Sequence, residues 1–307
     1  MQHPSAPGQR QNYLIYLSHG SAGIRSEALY SILSYYQVAR HSPETSRPII
    51  VIYTDDAASF RKVLGSPADI LYPEIGEEQW QQWRGSVNKV YLLKIGVLQH
   101  AAAHFPGNLL FLDTDTIWQK DPTPIFGDIA RGVRYMHMDE GALATGNELS
   151  RKVYRHLKNF QTRIGGLPLR IQPTTRLFNS GVLGFKSEDA ALLPEVMQQA
   201  EQLYAAYNKH MMEQLAFSMR FAVDGEPVRE AASYLVHYWN LKAMRPVLIE
   251  LFERYAGQSY DELYARASRL HIADLHKSEQ AYSRLPGWRR AIRKATGRRW
   301  RLPSFDL

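Results

Sequence analysis

Residues 109–118 read LLFLDTDTIW, and this stretch decides the fold class. A run of apolar, strand-forming residues ends directly in two carboxylates, Asp113 and Asp115, which are one residue apart. Like charges this close repel each other unless a positive charge lies between them. A strand that ends here holds both carboxylates at the rim of a sheet, where a cation can reach them. The stretch therefore predicts a buried strand with a candidate cation site at its carboxyl end.

Apolar runs alternate with helical patterns on the amino-terminal side of this strand. Strands are predicted at residues 13–17, 49–54 and, more weakly, 69–73, and helices at residues 25–39, 55–64 and 88–104. Such alternation is typical of a mainly parallel sheet with helices on both faces, an α/β fold. Ligands of open α/β sheets bind beyond the carboxyl ends of the strands, which is where Asp113 and Asp115 are expected.

Beyond residue 130 the pattern becomes mixed. Strands are expected in VRYMHM (133–138) and RLFNSGVLGF (176–185), and helices within 188–222 and 244–267. A polar insertion at residues 139–175, with a helix over 147–160, separates the two strands, and long excursions of this kind carry specificity rather than scaffold. We predict a polar segment at 1–12, one domain at 13–283 and a distinct tail at 284–307.

Composition limits the class of protein. The chain has 307 residues, 45% of them hydrophobic, which is enough for a sizeable core. The absence of cysteine excludes disulfides, zinc–thiolate sites and thiol nucleophiles, and it fits a reducing compartment. The N-terminal residues MQHPSAPGQRQN lack the apolar centre of a signal peptide, and no apolar run reaches the roughly 18 residues of a membrane span. We therefore expect a soluble, cytoplasmic protein.

The net charge of +7 resides in the tail. Residues 284–307 contain eight Arg or Lys against one acid, so the preceding residues are neutral overall, which argues against a general nucleic-acid binder. A helix over 285–295 would place Trp288 and Ile292 on one side, with basic residues around the rest. We expect residues 285–302 to suit an anionic membrane surface, at the inner face of a membrane; a solvated basic terminus is the alternative.

Asp-x-Asp alone is a weak signal that a solvated turn would explain, but four further features accompany it. They are FNSGVLGF (178–185), MEQLAF with Glu213 and Gln214, LVHYWNLK with His237 and Lys242, and SVNKVYLLK with Lys89. Each has a plain structural explanation: a β-bulge, a pair at a helix start, a buried structural histidine and a surface lysine. Their occurrence together in one order is much less expected.

In that order the motifs resemble those of GT-A fold glycosyltransferases of the family 8 and glycogenin type. The resemblance covers roughly residues 13–245, and FLDTDT with FNSGVLGF is its most specific part. It implies a Rossmann-like, mixed but mainly parallel sheet and a nucleotide-diphosphate sugar donor, in most of the family a UDP-sugar. It also implies transfer to a glycan or lipid-linked acceptor with retention of configuration, as in polysaccharide biosynthesis.

The resemblance also implies a role for each matching residue. Asp113, Asp115 and His237 would bind a manganese or magnesium ion, and Asp113 would also touch the ribose. Lys242 would neutralise the diphosphate with the metal, and Lys89 would contact the donor. The residues that line the transferred sugar and the donor would be Asn179, Ser180, Gly181, Glu213 and Gln214.

Three departures from the family pattern affect these roles. Glu213 stands where the family usually has Asp. The spacing from His237 to Lys242 is five rather than six, with Asn240 near the position of a family glycine. Several extra residues separate Lys89 from Asp113, which makes Lys94 the alternative donor contact.

Other functions are compatible with a nucleotide-binding α/β fold. A sugar nucleotidyltransferase usually opens with a Gly-rich phosphate loop, which LSHGSAGIRSE (17–27) matches poorly. A non-catalytic nucleotide-sugar-binding module would share the same motifs, although the retention of every proposed metal ligand argues against it. A metal-dependent hydrolase is also possible, because a transferase site without acceptor can pass its sugar to water.

Overall fold

The computed structural model contains a seven-stranded sheet. It describes residues 11–43, 46–164, 166–222 and 227–307. Residues 1–10 of the predicted polar segment lie outside the described residues. The strands are β1 (Asn12–Ser18), β2 (Ile49–Thr54), β3 (Ile70–Leu71), β4 (Asn108–Leu112), β5 (Thr116–Trp118), β6 (Tyr135–Met136), β7 (Asp139–Ala142), β8 (Gln161–Ile164), β9 (Leu167–Arg170), β10 (Arg176–Phe178), β11 (Val182–Lys186), β12 (Arg229–Glu230) and β13 (Leu235–His237). The helices are α1 (Ala22–Val38), α2 (Ala57–Leu64), α3 (Glu77–Gln82), α4 (Leu93–His104), α5 (Thr123–Ala130), α6 (Glu148–Leu157), α7 (Leu192–Ala206), α8 (Met212–Ala222), α9 (Arg245–Arg254), α10 (Tyr260–Ser268), α11 (Ile272–Ser283) and α12 (Gly287–Ala295).

The order of strands in the main sheet is β12-β6-β11-β4-β1-β2-β3. Strands β4, β1, β2 and β3 are parallel neighbours, β12 is parallel to β6, and β11 runs antiparallel between β4 and β6. Among the described residues, three antiparallel strand pairs lie outside this sheet: β7 with β10, β5 with β13 and β8 with β9. The predicted α/β fold with a mixed, mainly parallel sheet is confirmed.

Both faces of the sheet are covered by helices. Tyr13 and Ile15 of β1 pack into one core cluster with α4, α7 and α8, while Leu14 and Tyr16 pack into the other with α1, α9 and α10. Successive side chains of a strand point to opposite faces, so a strand covered on both sides is apolar throughout. This explains why β1 and β4 read as continuous apolar runs and why their polar neighbours are confined to the strand ends.

The predicted helix over residues 88–104 is wrong in its first turn. Asn88 has a positive φ of 48°, Lys89 is extended and Val90–Leu92 form a 3-10 turn, so α4 begins at Leu93. Lys89 therefore precedes the helix, whereas Lys94 lies in its first turn. This change decides which of the two lysines can reach the end of β4.

Other boundaries also differ from the prediction. The stretch RLFNSGVLGF is two strands, β10 and β11, separated by Asn179, Ser180 and Gly181, because this segment turns where it meets the end of β4. The insertion at 139–175 contains β7, α6 and the hairpin of β8 and β9. Helix α11 had no counterpart in the sequence prediction.

The C-terminal tail consists of an exposed helix and a returning segment. Helix α12 has no buried residue, and Gly297 with a φ of 70° follows its end. Trp300 lies in the segment 285–302 that was predicted to suit a membrane surface, and for this residue the prediction is wrong. Its indole Nε1 donates to Ser278 Oγ at 2.9 Å, and its ring packs against the core. None of the helices in the described part of the chain has the length and apolar character to cross a bilayer.

Candidate functional site

The end of β4 brings the broken strand beside the first carboxylate. In the antiparallel pairing of β4 with β11, Leu112 lies opposite Val182. One residue further, the backbone N–H of Asp113 donates to the carbonyl of Gly181 at 2.8 Å. The Asn179–Gly181 turn therefore lies directly against the Asp-x-Asp segment.

Strand β5 leaves the main sheet and carries the second carboxylate to β13. His237 lies opposite Thr116 in this antiparallel pair, and the N–H of Tyr238 donates to the carbonyl of Asp115 at 2.9 Å. The pairing brings together Asp115 and His237, which are 122 positions apart in the chain. The imidazole of His237 thus reaches the rim where both carboxylates lie.

Asp113, Asp115 and His237 form a group that could hold a metal ion. Their candidate ligand atoms all lie within 4.8 Å of one another. His237 Nε2 is 3.0 Å from Asp115 Oδ1 and 3.8 Å from Asp113 Oδ2. Two carboxylates and one imidazole are donors that suit manganese at least as well as magnesium. The predicted ligands are therefore brought together, and their donor set fits a divalent cation.

A hydrogen bond between His237 Nδ1 and Asn179 determines which ring nitrogen of His237 can bind a metal. Nδ1 is 2.9 Å from Asn179 Oδ1, which also accepts the N–H of Gly181 at 2.9 Å. Because the Asn179 Nδ2 group donates to Glu140 at 3.1 Å, its oxygen must face the ring, and Nδ1 carries the hydrogen. This leaves Nε2 directed at the carboxylates, the arrangement by which an outer hydrogen bond orients a ligating histidine.

His237 and Asp115 are an ion pair when no cation lies between them. Burial alone would lower the pKa of His237, but the Asp115 and Asp113 carboxylates together outweigh burial and hold that pKa above its usual value. Burial would raise the pKa of Asp115, but His237, a backbone hydrogen bond and Arg245 together outweigh it and hold that pKa below its usual value. A histidine must lose its proton to bind a metal, so metal affinity should increase as the pH rises through the raised pKa of His237.

Lys94 supplies the positive charge at the end of β4. Its Nζ lies 3.0 Å from Asp113 Oδ1 and 3.2 Å from Glu213 Oε1, and it donates to the carbonyl of Ser180 at 2.9 Å. Burial would lower the pKa of Lys94, but the two carboxylates outweigh it and hold the pKa above its usual value. The described contacts of Asp113 and Glu213 include Lys94 and not Lys89, so of the two lysines Lys94 lies at the end of β4.

Replacement of Lys94 by Met is expected to lower the free energy of unfolding by about 3–5 kcal/mol, because buried Glu213 loses its cation. Lys89→Met is the matched control, and a substitution of this half-buried residue should stay within about 0.5 kcal/mol. Urea unfolding followed by circular dichroism measures both. Equal effects of the two substitutions would show that Lys94 does not have this role.

Glu140 is a site residue that the sequence prediction missed. One carboxylate oxygen accepts from Asn179 Nδ2 at 3.1 Å and the other accepts from Gln214 Nε2 at 3.0 Å. It therefore joins two of the amides that were predicted to face the sugar. The sequence did contain a sign of this role, because Asp139 and Glu140 directly follow the strand predicted at 133–138, and two acids at the end of a predicted strand are candidate site residues.

The remaining predicted residues are Ser180 and Glu213, which contact each other, and Lys242, which lies apart from them in the chain. Ser180 Oγ donates to Glu213 Oε1 at 2.7 Å, so Glu213 faces Lys94 and Ser180. Lys242 begins a 3-10 turn (Lys242–Met244) five residues after His237 and is exposed. No contact joins the Lys242 ammonium to the carboxylates within the part of the chain that the structure describes.

A buried ion pair lies behind Asp115. Glu27 of α1 accepts from Arg245 Nε at 2.9 Å, and Thr114 Oγ1 donates to it at 3.4 Å. Burial raises the pKa of Glu27 to about 7, although Arg245 acts to lower it. This pair ties α1 to the start of α9 beneath the Asp-x-Asp turn, and nothing in the sequence pattern distinguished Glu27 from an ordinary helical residue.

Comparison with known proteins gives similarity in structure only. No family model and no curated protein sequence matches the chain. Similar solved structures include the galactosyltransferase LgtC with donor and acceptor sugar analogues (10% identity, TM-score 0.44, 67% of this chain and 70% of that chain). Others are mouse xyloside xylosyltransferase 1 (14%, 0.48, 72% and 84%) and core-mannan synthase A from Aspergillus fumigatus in a Mn/GDP form (11%, 0.42, 71% and 71%).

By their names, all three proteins build sugar linkages. At these identities and TM-scores the likeness extends no further than general architecture. The chemistry of this chain therefore has to follow from its own residues.

Proposed function

We propose that this chain is a metal-dependent glycosyltransferase. It would move a sugar from a nucleotide-diphosphate donor, a UDP-sugar, to a glycan or lipid-linked acceptor with retention of configuration. The observation that carries the proposal is the convergence of Asp113, Asp115 and His237 at the carboxyl edge of a mainly parallel sheet. Ligands of α/β sheets bind at this edge, and a pre-oriented imidazole beside two carboxylates is suited to a divalent cation there.

The charges at the centre support a dication. Asp113, Asp115, Glu140 and Glu213 carry four formal negative charges against the one positive charge of Lys94 when His237 is neutral, so the site has a net negative charge that favours a divalent cation. Asp113, Asp115 and His237 would hold the ion, manganese or magnesium. When bound, such an ion stabilises the negative charge that develops on a leaving diphosphate.

Two lysines would contribute to donor binding in different ways. Lys94 fixes the orientation of Asp113, so that this carboxylate can serve both the metal and the ribose. Lys242 is exposed five residues beyond His237, and its free ammonium would bind the diphosphate. Fixed positive charges at the leaving group lower the barrier to bond breaking because they require no reorganisation during the reaction.

Asn179, Gln214 and Glu140 would bind the hydroxyls of the transferred sugar. The two amides are held by the Glu140 carboxylate, which accepts from Asn179 with one oxygen and from Gln214 with the other. Gly181 allows the close approach of this turn to His237, and Ser180 fixes Glu213. In a retaining transfer with leaving and attacking groups on the same face, these residues position the sugar, and no strong protein nucleophile is needed.

A screen of nucleotide sugars for hydrolysis or transfer tests this function. We expect at least one donor to be turned over with Mn²⁺, EDTA to abolish that turnover and added Mn²⁺ to restore it, because the single positive charge of Lys242 does not neutralise a leaving diphosphate. Metal-independent turnover would contradict the proposed mechanism. Binding without turnover of any donor would favour the nucleotide-sugar-binding module, and formation of nucleotide sugar from a sugar phosphate would favour a nucleotidyltransferase.

We further propose that α12 binds an anionic membrane surface. Trp288 and Ile292 lie one turn apart on α12 and are 61% and 54% exposed. The same helix carries Arg289, Arg290, Arg293 and Lys294, all exposed. Apolar side chains flanked by basic ones suit the boundary between anionic headgroups and acyl chains. The catalytic centre would then act on an acceptor at or near the inner face of the membrane.

Charge reversal in α12 should weaken binding of the full-length protein to anionic vesicles. Each basic residue near the surface is worth about 1 kcal/mol, so Arg289→Glu with Arg293→Glu should reduce co-sedimentation at least about tenfold at low salt. Lys152→Glu with Arg155→Glu on exposed positions of α6 is the matched control. Co-sedimentation that is equal for both double variants would contradict the membrane proposal and leave the transferase proposal untouched.

A further inference from the structure

Helix α11 holds the side chain of Asn240 at both of its polar groups. The Asn240 Nδ2 group donates to Glu279 Oε2, and the Asn240 oxygen is bonded to His276 Nδ1. Because that oxygen can only accept, His276 Nδ1 carries the hydrogen. His276 and Glu279 lie three residues apart, on one side of α11, and His276 is buried.

Asn240 lies in the short segment between two residues of the proposed site. His237 ends β13, and Lys242 begins the following 3-10 turn. At the His237 end, Tyr238 is fixed by its backbone bond to Asp115, and its side chain is fully buried. Leu241 is buried and its N–H donates to the carbonyl of Tyr238 at 2.9 Å. The side chain of Asn240 adds a tie from this segment to a helix outside the sheet.

We propose that Asn240 is a positioning residue, held by His276 and Glu279, that sets the distance between the metal-binding His237 and the diphosphate-binding Lys242. The inference rests on the proposed function.

The test uses two probes on the full-length protein, Mn²⁺ alone and UDP in the presence of Mn²⁺. Isothermal calorimetry should show that Asn240→Ala weakens UDP binding about tenfold, the usual effect of losing an outer hydrogen-bond partner, while Mn²⁺ binding changes less. Glu279→Ala should resemble Asn240→Ala, and Glu279→Gln should restore binding because its amide oxygen still accepts from Asn240. Ser278→Ala, on the same helix but bonded to Trp300, is the matched control and should bind as the wild type does.

The outcomes separate this inference from the proposed function. If wild-type protein binds UDP with Mn²⁺ and Asn240→Ala binds equally well, the positioning role is wrong and the proposed function stands. If Glu279→Gln is as defective as Glu279→Ala, the hydrogen bond is not responsible and the inference also fails. If wild-type protein binds neither probe, both are wrong. His276→Ala provides a second route should Asn240→Ala not fold, with thermal unfolding as the check.

Discussion

Sugar transfer by Asp115→Asn is expected to fall by at least about 10³-fold, because the variant loses a metal ligand and with it the stabilisation of the leaving diphosphate. The fold should persist, since the Asn side chain can still hydrogen-bond to His237 Nε2, which lies 3.0 Å from Asp115 Oδ1 in the wild type: its amide group donates to the neutral ring, whose hydrogen is on Nδ1. His237→Ala should lose transfer to the same extent. Rates of nucleotide-diphosphate release, with circular dichroism on the same samples, measure both effects.

The control for these variants is Asp261→Asn, an exposed acid in the first turn of α10. It changes the net charge by the same amount and should leave the rate unchanged. Full activity of Asp115→Asn or His237→Ala would show that the metal is held elsewhere or is not needed. Loss of folding in His237→Ala alone would leave Asp115→Asn as the deciding variant.

Gly181→Ala is expected to abolish metal binding for a steric reason. A Cβ atom at this position would lie 2.3 Å from Nδ1 and 2.4 Å from Cε1 of His237, distances that real Cβ contacts essentially never show. The imidazole has little room to move, because it is 5% exposed and the ring of His137 packs edge-on against it at 5.3 Å. The added methyl group should therefore break the Asn179 bond and misdirect Nε2, lowering transfer by about 10²-fold or more.

Gly184→Ala, three residues further along the chain in β11, provides the contrast. Its Cβ would meet Ile129, Tyr135 and Leu110 at 2.9–3.1 Å, all in the core and none in the site. This variant should lower the melting temperature through overpacking while Mn²⁺ binding is kept. Preserved Mn²⁺ affinity in Gly181→Ala, or equal loss in the two variants, would contradict the steric account of the site.

The sequence was sufficient to predict the parts of the site that lie on apolar strands. LLFLDTD and FNSGVLGF place polar residues at the ends of buried runs, and the strand pairing of β4 with β11 then brings Asp113 and Gly181 together. Because both faces of this sheet are covered by helices, its strands are apolar throughout, and such short apolar runs are easily recognised as strands. His237 followed from the order of the motifs and not from its local pattern.

The sequence was insufficient where conformation depends on tertiary contacts. Lys94 and not Lys89 lies at the end of β4 because Asn88 has a positive φ and α4 begins only at Leu93, neither of which the helical periodicity of the sequence reveals. Helix α11 has only Ile272 and His276 buried, too few for a detectable apolar stripe. Glu140 could be suspected from its place directly after the strand predicted at 133–138, but its bonds to Asn179 and Gln214 are tertiary contacts that only the structure shows.

The most direct test of the central claim is a titration of Mn²⁺ into the wild-type protein and Asp115→Asn, each with and without UDP, followed by electron paramagnetic resonance. The account predicts one tightly bound ion per wild-type chain, a further gain in affinity with UDP because Lys242 and the ion share the diphosphate, and loss of that ion in folded Asp115→Asn. Absence of bound Mn²⁺ from the wild-type protein, or equal binding by the two proteins, would contradict the account.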